Sequence, residues 1–304
     1  MKRFLILLLT ALLLPSLAGA AEFSVPDKVS QGHAFPAAVT GSAPFEASFL
    51  WRGETLRVRA EQEKTSPPLW KAQVLLAMPI DARGGQRVVI EAEGVKKNVL
   101  IQAVPVAWPK SILKVAPRYV EPPREVREQI AYDAARSKKA LASRTEKSWT
   151  LPLSRPVPGG ITSPFGGRRV FNGQSRAPHK GTDMRSPEGA QVKAAADGVV
   201  LLAEKQYFGG NSIYIDHGQG VVSTYAHLSA FDVKEGDMVK KGQVIGRSGS
   251  TGRVTGPHLH FGLLVQGVAV DAMPLLQDPP QIVGGPSRSI FDQQQKAAKA
   301  RSAR

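Results

Sequence analysis

Two histidines separated by one residue, His258 and His260, precede a run that favours a β-strand, residues 261–265 (Phe-Gly-Leu-Leu-Val). Side chains two apart on a strand share a face, so both imidazoles should enter one cavity while Leu259 points into the packed opposite face. Two imidazoles on one face are an unusual way to build a core. The alternative is a pair of hydrogen-bonded surface histidines, and we favour metal chemistry over it.

A second candidate is His179, which has Asp183 four residues later. On a helix this spacing would place both side chains on one face, but Gly181, Thr182 and nearby prolines favour an extended segment with a turn. Zinc accepts both imidazole nitrogen and carboxylate oxygen, although this spacing alone is a weak signal. The chain contains no cysteine, so a metal would have to be held by histidines and carboxylates, and no disulfide can form.

The remaining three histidines differ in their surroundings. His227 lies in Tyr-Ala-His-Leu, directly after the alternating run of residues 221–224. His217 stands where a strand meets a turn, and we expect it to bond to backbone rather than to bind a metal. His33 has no partner nearby in sequence, and we assign it no function.

Together these segments resemble the three signatures of the lysostaphin/LytM-type peptidoglycan metallo-endopeptidases. The resemblance covers roughly residues 155–276, and its flanking segments 195–198, 237–246 and 248–252 are also similar to that family. Three histidine motifs in the family order are a much stronger signal than any one alone. The motifs are His179-xxx-Asp183, Tyr-Ala-His227-Leu and His258-Leu-His260.

The resemblance implies one Zn²⁺ per chain, bound by His179, Asp183 and His260, with a fourth position left for water. It also implies that His227 and His258 are catalytic; spacing alone does not tell which of His258 and His260 binds the metal. The implied activity is that of a zinc-dependent endopeptidase hydrolysing peptide crosslinks or stem peptides of peptidoglycan, with zinc-bound water as nucleophile. Some relatives carry a tyrosine shortly before the first ligand, and residues 172–178 contain none.

Two other function classes remain. One is a catalytically inactive LytM-type activator of other cell-wall hydrolases, and the other is a wall-binding regulator. An inactive member should lack one or more of the five site residues, and all five are present, which favours the enzyme. The bond that is cut stays open between a D-Ala–diaminopimelate crosslink, which we favour, a glycine bridge and a carboxypeptidase-like cut.

The chain is predicted to be mainly β. Strand-forming runs at residues 45–51, 88–92 and 98–101 predict an N-terminal Ig-like β-sandwich, and Val/Ile-rich runs between dense glycines predict a C-terminal antiparallel β catalytic domain of the LytM/lysostaphin type. The predicted segments are a signal peptide (1–20), the Ig-like sandwich (21–104), a proline-rich helical connector (105–150), the zinc metallopeptidase domain (151–276) and a basic, disordered tail (277–304).

The connector favours an amphipathic helix over about residues 123–143. Val126, Ile130 and Ala134 recur every four residues, which predicts a thin apolar stripe packed on a domain surface. We expect residues 21–145 to dock on the catalytic domain and limit access to the zinc cleft. A spacer that leaves the cleft open is the alternative.

The N-terminus and the charge predict where the protein acts. Lys2 and Arg3 precede an apolar run too short for a membrane span and a small-residue cleavage site, so we expect export to the periplasm or cell envelope, or secretion, with no transmembrane span in the mature chain. The formal net charge is +15, and +13 without those two residues. It favours peptidoglycan and other anionic envelope components as partners, and no nucleic-acid recognition motif is present.

Overall fold

The computed structural model describes residues 21–277, which are mainly β as predicted, with 48% of residues in strands and one α-helix. The predicted signal peptide and all but the first residue of the predicted tail lie outside the described residues. Within the described range, no helix is both long and apolar enough to cross a membrane.

Residues 21–104 form two sheets that face each other over one core. The first sheet has the order β1-β3-β7-β6, and the second has the order β2-β9-β8-β4-β5 with β2 and β9 parallel. This order corresponds to the A-B-E-D and A′-G-F-C-C′ sheets of the immunoglobulin fold, as predicted. The strands are β1 (Glu22–Ser24), β2 (Lys28–Ser30), β3 (Ala34–Gly41), β4 (Glu46–Trp51), β5 (Glu54–Arg59), β6 (Glu61–Gln62), β7 (Trp70–Ala77), β8 (Gly85–Ala92) and β9 (Val95–Val104).

The sandwich core is centred on a tryptophan. Trp51 is buried at the end of β4, packs edge-to-face on Phe35 with ring centroids 5.5 Å apart, and donates its indole N–H to the carbonyl of Ala77 at 3.1 Å. Along β4 the buried residues Ala47, Phe49 and Trp51 alternate with outward-facing ones. Because the chain lacks cysteine, this interdigitated apolar core holds the two sheets together.

The connector contains a short strand, β10 (Lys110–Leu113), and one helix, α1 (Arg127–Leu141), which a 3₁₀ turn at Arg124–Val126 precedes. The helix therefore lies inside the predicted range of 123–143. Of the predicted apolar stripe, Val126 and Ile130 are half-buried and Ala134 is exposed.

Helix α1 packs on the second half of the chain through polar side chains. The carboxylate of Asp133, which is buried, accepts the backbone N–H of Tyr207 at 2.6 Å. One turn later the hydroxyl of Ser137 accepts the amide of Gln206 at 3.0 Å, and Arg136 pairs with Glu204 at 3.1 Å. The apolar period predicted the helix correctly, and directional hydrogen bonds contribute to the contact that orients α1.

Residues 161–270 form a ten-stranded sheet and, together with β10 of the connector, a smaller one. The large sheet follows the order β11-β14-β21-β18-β17-β16-β19, with β15, β20 and β22 attached beside it, and the small sheet has the order β10-β12-β13. The strands are β11 (Ile161–Ser163), β12 (Arg168–Phe171), β13 (Gln174–Arg176), β14 (Thr182–Arg185), β15 (Gln191–Lys193), β16 (Gly198–Gln206), β17 (Gly210–Asp216), β18 (Val221–Phe231), β19 (Met238–Val239), β20 (Val244–Ser248), β21 (His258–Val265) and β22 (Val268–Val270).

Strand β7 belongs to two cores at once. Val74 and Leu76 are buried in the sandwich, whereas Leu75 and Ala77 are buried in the apolar core of the second half. Burial on both faces explains why residues 74–77 of this strand form a continuous apolar run rather than an alternating one. The sandwich is therefore packed on the second half through β7.

This interface lies far from the histidine pair. Gln266, just beyond the end of β21, donates its amide to the carbonyl of Leu75 at 3.0 Å. Six strand positions separate Gln266 from His260, a distance of about 20 Å at the usual rise per residue. The predicted docking of the N-terminal half is thus observed at the opposite end of β21, and the predicted limit on access to the cleft stays a prediction.

We predict that Leu75→Asp separates the two halves, since it buries an unpaired carboxylate in an apolar interface at a cost of roughly 3 kcal/mol or more. The radius of gyration from small-angle scattering should increase. Leu100→Asp on β9, where the side chain is 56% exposed, is the matched control and should leave it unchanged. An unchanged radius of gyration for Leu75→Asp would contradict the interface.

Candidate metal centre

Strand pairing brings the candidate ligands together. Strands β14 and β21 are antiparallel neighbours, with Asp183 directly opposite His260 and Arg185 opposite His258. Leu259 is fully buried on the other face, as the alternation predicts. A segment that is remote in sequence is thus placed beside the His-Leu-His pair, and His179 reaches it from the loop that precedes β14.

Three donor atoms lie about 3 Å from one another. The Nε2 atom of His179 is 3.0 Å from Nδ1 of His260 and 3.0 Å from Oδ1 of Asp183, and the last two atoms are 2.8 Å apart. Ligands of a tetrahedral zinc at ~2.0–2.1 Å are separated by roughly 3.3 Å. The spacing and the donor set, two imidazole nitrogens and one carboxylate oxygen, fit a divalent metal such as zinc.

His179 is held by backbone carbonyls. Its Nδ1 lies 3.0 Å from the carbonyl oxygen of Pro164, which can only accept, so the proton of the neutral ring resides on Nδ1 and the lone pair is on Nε2. Burial lowers the pKa of His179 to about 4, against the opposing effect of Asp183. The imidazole is therefore neutral at pH 7 and can act as a ligand.

Asp183 carries the negative charge of the cluster. Its second oxygen, Oδ2, accepts Nη2 of Arg169 at 2.8 Å. Burial acts to raise the pKa of Asp183, but His179 and then His260 outweigh it and hold the pKa well below its ordinary value. Arg169 had no signal in the sequence, because β12 reaches Asp183 only through tertiary packing.

Gly181 leaves room for a ligand ring. A Cβ at this position would stand 2.7 Å from both Cε1 and Nε2 of His260, which is closer than side-chain atoms approach. The sequence marked Gly181 as a turn residue. Its structural role is to let the backbone between His179 and Asp183 pass directly over the imidazole of His260.

The other two predicted residues flank the cluster. The ring of His227 is 4.9 Å from that of His258 and 5.9 Å from that of His260, measured between centroids. His227 occupies a bulge in β18, where its φ of 66° lies in the left-handed region. Bulges redirect side chains out of the regular alternation, and a strained non-glycine residue of this kind is typical of functional positions.

Both flanking imidazoles present Nε2 to the cluster. Nδ1 of His227 donates to the carbonyl of Thr251 at 2.9 Å, and Nδ1 of His258 donates to the carbonyl of Gly256 at 2.8 Å. Nε2 of His258 is 3.7 Å from Oδ1 of Asp183. Burial, followed by the neighbouring His260 and His258, lowers the pKa of His227 to about 3, so this ring is neutral at pH 7.

The remaining histidines lie elsewhere. His217 bonds through Nδ1 to the carbonyl of Asp197 and through Nε2 to the hydroxyl of Ser223, both at 2.7 Å, in agreement with the backbone role predicted for it. His33 forms an isolated parallel β-bridge, through its backbone, with Asp271 at the interface between the two halves. The structure thus places all five predicted site residues in one cleft and leaves these two outside it.

Comparison with known proteins places this cleft in a family. Residues 177–272 match the model of Peptidase family M23. Peptidoglycan DD-endopeptidase ShyA of Vibrio cholerae is 47% identical over 37% of this chain and 26% of its own length. DD-carboxypeptidase/endopeptidase Mpg of Neisseria meningitidis is 40% identical over 45% of this chain and 32% of its own length. The chain therefore spans only about a third or less of these relatives.

Solved structures agree with the sequence matches. A putative peptidase M23 from Pseudomonas aeruginosa has a TM-score of 0.59 and 27% identity, covering 76% of this chain and 88% of its own. The catalytic domain of lysostaphin from Staphylococcus simulans is 38% identical over 39% of this chain and 92% of its own, with a TM-score of 0.35. The family model, the curated relatives and the Pseudomonas structure agree, and residues 177–272 of this chain belong to Peptidase family M23.

Proposed function

We propose that this protein is a zinc-dependent endopeptidase that hydrolyses peptide bonds of peptidoglycan. The observation that carries the proposal is the convergence of His179, Asp183 and His260 within 3.0 Å of one another, with the imidazoles of His227 and His258 beside them. Catalytic zinc sites typically have three protein ligands and one open position. An inactive regulator would not need the two additional imidazoles.

The proposed ligand atoms are Nε2 of His179, Oδ1 of Asp183 and Nδ1 of His260. When bound, zinc would polarise a scissile carbonyl and lower the pKa of a water molecule towards 7. Arg169 orients the carboxylate from its far side, as outer partners of metal ligands commonly do.

His227 and His258 are the proposed acid–base groups. Each has its proton on Nδ1, held by a backbone carbonyl, so Nε2 can accept the proton of the attacking water. A ring protonated in this way can then stabilise the oxyanion and return the proton to the leaving amine. The bulge of His227 and the strand position of His258 place these rings on adjacent sides of the cleft.

The substrate is proposed from the relatives and the charge. ShyA is named a peptidoglycan DD-endopeptidase and Mpg a DD-carboxypeptidase/endopeptidase, which favours the D-Ala–diaminopimelate crosslink over a glycine bridge and leaves a carboxypeptidase-like cut open. The N-terminal pattern and the net charge of +15 suit a protein exported to an anionic cell envelope.

The bond that is cut can be identified by mass spectrometry of muropeptides released from purified walls. We expect crosslinked dimers to be converted to monomers with free D-Ala and diaminopimelate ends. Loss of only a terminal D-Ala would indicate carboxypeptidase action, and unchanged walls in the presence of zinc would contradict the proposal.

The ligand assignment predicts the metal content. The full chain should bind about one zinc, and His179→Ala or Asp183→Ala should weaken binding by orders of magnitude because a three-ligand site loses a bond. Elemental analysis of dialysed protein measures this. The control is Asp232→Ala, which removes a partly exposed partner of Arg247 and should retain the metal. Full zinc retention in both ligand variants would remove the assignment.

The acid–base assignment predicts a separation of metal binding from activity. His227→Ala should keep its zinc and its fold, yet lose roughly 10²–10⁴-fold in turnover of wall fragments. Initial rates and metal content measured on the same preparation test this. Near-normal turnover would mean that the ring has a structural role only.

A further inference from the structure

Beyond the metal centre, one arginine is held between two aromatic rings at the side of the cleft. The guanidinium carbon of Arg253 lies 5.0 Å from the ring centroid of Phe171 and 4.8 Å from that of Phe208. The backbone N–H of Arg253 donates to the carbonyl of Phe208 at 2.9 Å. Stacking on ring faces fixes the plane of the guanidinium and leaves its N–H edges available.

The two rings belong to segments that hold opposite sides of the site. Phe171 ends β12, two residues after Arg169, which bonds to Asp183. Phe208 precedes Gly209, whose carbonyl accepts the backbone N–H of His227. Arg253 itself follows two residues after Thr251, whose carbonyl accepts Nδ1 of His227. The segments that hold the guanidinium therefore also contact Asp183 of the proposed ligand set and His227, the proposed acid–base group.

Arg253 is half-buried and lacks an acidic partner within the described residues. Arg136, Arg144 and Arg247 each pair with a carboxylate, whereas within residues 21–277 the Arg253 guanidinium takes part in no ion pair or side-chain hydrogen bond. Burial, and then the positive charges of Arg169 and Arg176, lower the pKa of Arg253. The group stays charged at neutral pH, because an arginine pKa lies far above 7.

A half-buried guanidinium among other positive charges is unfavourable unless an anion joins it. Of the three arginines, only Arg169 has a carboxylate in contact, and that carboxylate, Asp183, is a proposed metal ligand. Arg176 donates instead to the carbonyl of Val120 at 3.0 Å and to the side chain of Gln174. Within the described residues, this cluster of positive charges therefore has room for an anion supplied by a ligand.

We propose that Arg253 binds a carboxylate of the peptide substrate and thereby selects acidic stem peptides. This inference rests on the proposed function and adds the substrate's chemical class to it. Stem peptides of peptidoglycan carry free carboxylates on D-glutamate and diaminopimelate, and the free N–H edge of Arg253 matches a carboxylate in bidentate geometry. Arg169 and Arg176 contribute positive potential at the same place.

The experiment compares two probes on the full, zinc-loaded chain. One is a stem-peptide dimer crosslinked through D-Ala–diaminopimelate with free carboxylates, and the other is the same dimer with those carboxylates amidated. Arg253→Gln and Arg253→Lys are tested beside Arg247→Gln, which removes an arginine of β20 that pairs with Asp232. Hydrolysis gives kcat and KM; calorimetric Kd values are measured in the His227→Ala background, where turnover is suppressed.

We expect wild type and Arg247→Gln to prefer the free-carboxylate dimer. Arg253→Gln should lose about 10–100-fold in kcat/KM and in affinity for that dimer, mainly through KM, since charged hydrogen bonds typically have this strength. The amidated dimer should change by no more than about twofold, and Arg253→Lys should recover only part of the preference. Melting temperatures confirm that the variants are folded.

Other outcomes separate this inference from the proposed function. Equal losses on both dimers would mean that Arg253 only stabilises the loops, and this would overturn the inference. Hydrolysis without a preference for free carboxylates would also overturn it, while the proposed endopeptidase activity would stand. Binding with an Arg253-dependent preference but no hydrolysis of either dimer would sustain the inference and overturn the endopeptidase. Neither binding nor hydrolysis would overturn both.

Discussion

The antiparallel pairing of β14 with β21 is the constraint on which the site depends. It sets Asp183 opposite His260 and brings His179 to within 3.0 Å of both. A shift of the register by one residue would turn every side chain of one strand to the other face and separate the donors. The register is secured by Leu259 and Met184, which are fully buried in the core on the face away from the cleft.

Around this pairing, backbone carbonyls determine how each imidazole is used. The carbonyls of Pro164, Thr251 and Gly256 each accept from an Nδ1, so three rings are held in one tautomer with Nε2 directed into the cleft. Because these acceptors belong to loops, the loops position the chemistry as much as the strands do. The left-handed conformation of His227 raises the local backbone energy, and the bulge and its hydrogen bonds stabilise the residue in it.

The parts outside the family match are packed against it in two different ways. The sandwich contributes Leu75 and Ala77 to the apolar core of the second half, so one strand serves two cores. The connector instead uses directional contacts: the buried Asp133 of α1 meets the backbone of Tyr207, one residue before Phe208 and the ring pair that holds Arg253. Tertiary contacts of the connector thus reach the segment that borders the cleft.

Much of this protein followed from the sequence alone. Alternation and residue type predicted the Ig-like sandwich and the shared face of His258 and His260, and the helix was found within its predicted bounds. These features depend on neighbours a few positions apart, which local periodicity records. The five candidate site residues came from a resemblance of ordered motifs, and the structure brings all five into one cleft.

Other features were decided only by the tertiary structure. Arg169 meets Asp183, Arg253 lies between the rings of Phe171 and Phe208, and the buried Asp133 of α1 bonds to the backbone of Tyr207. Each contact joins residues from different segments, and no spacing along the chain encodes their distance. The distances of His260 and His258 from Asp183 follow the same logic, because local spacing places both side chains on one face of the strand and does not separate them. Pairing with β14 places the first 2.8 Å from Asp183 and the second 3.7 Å away.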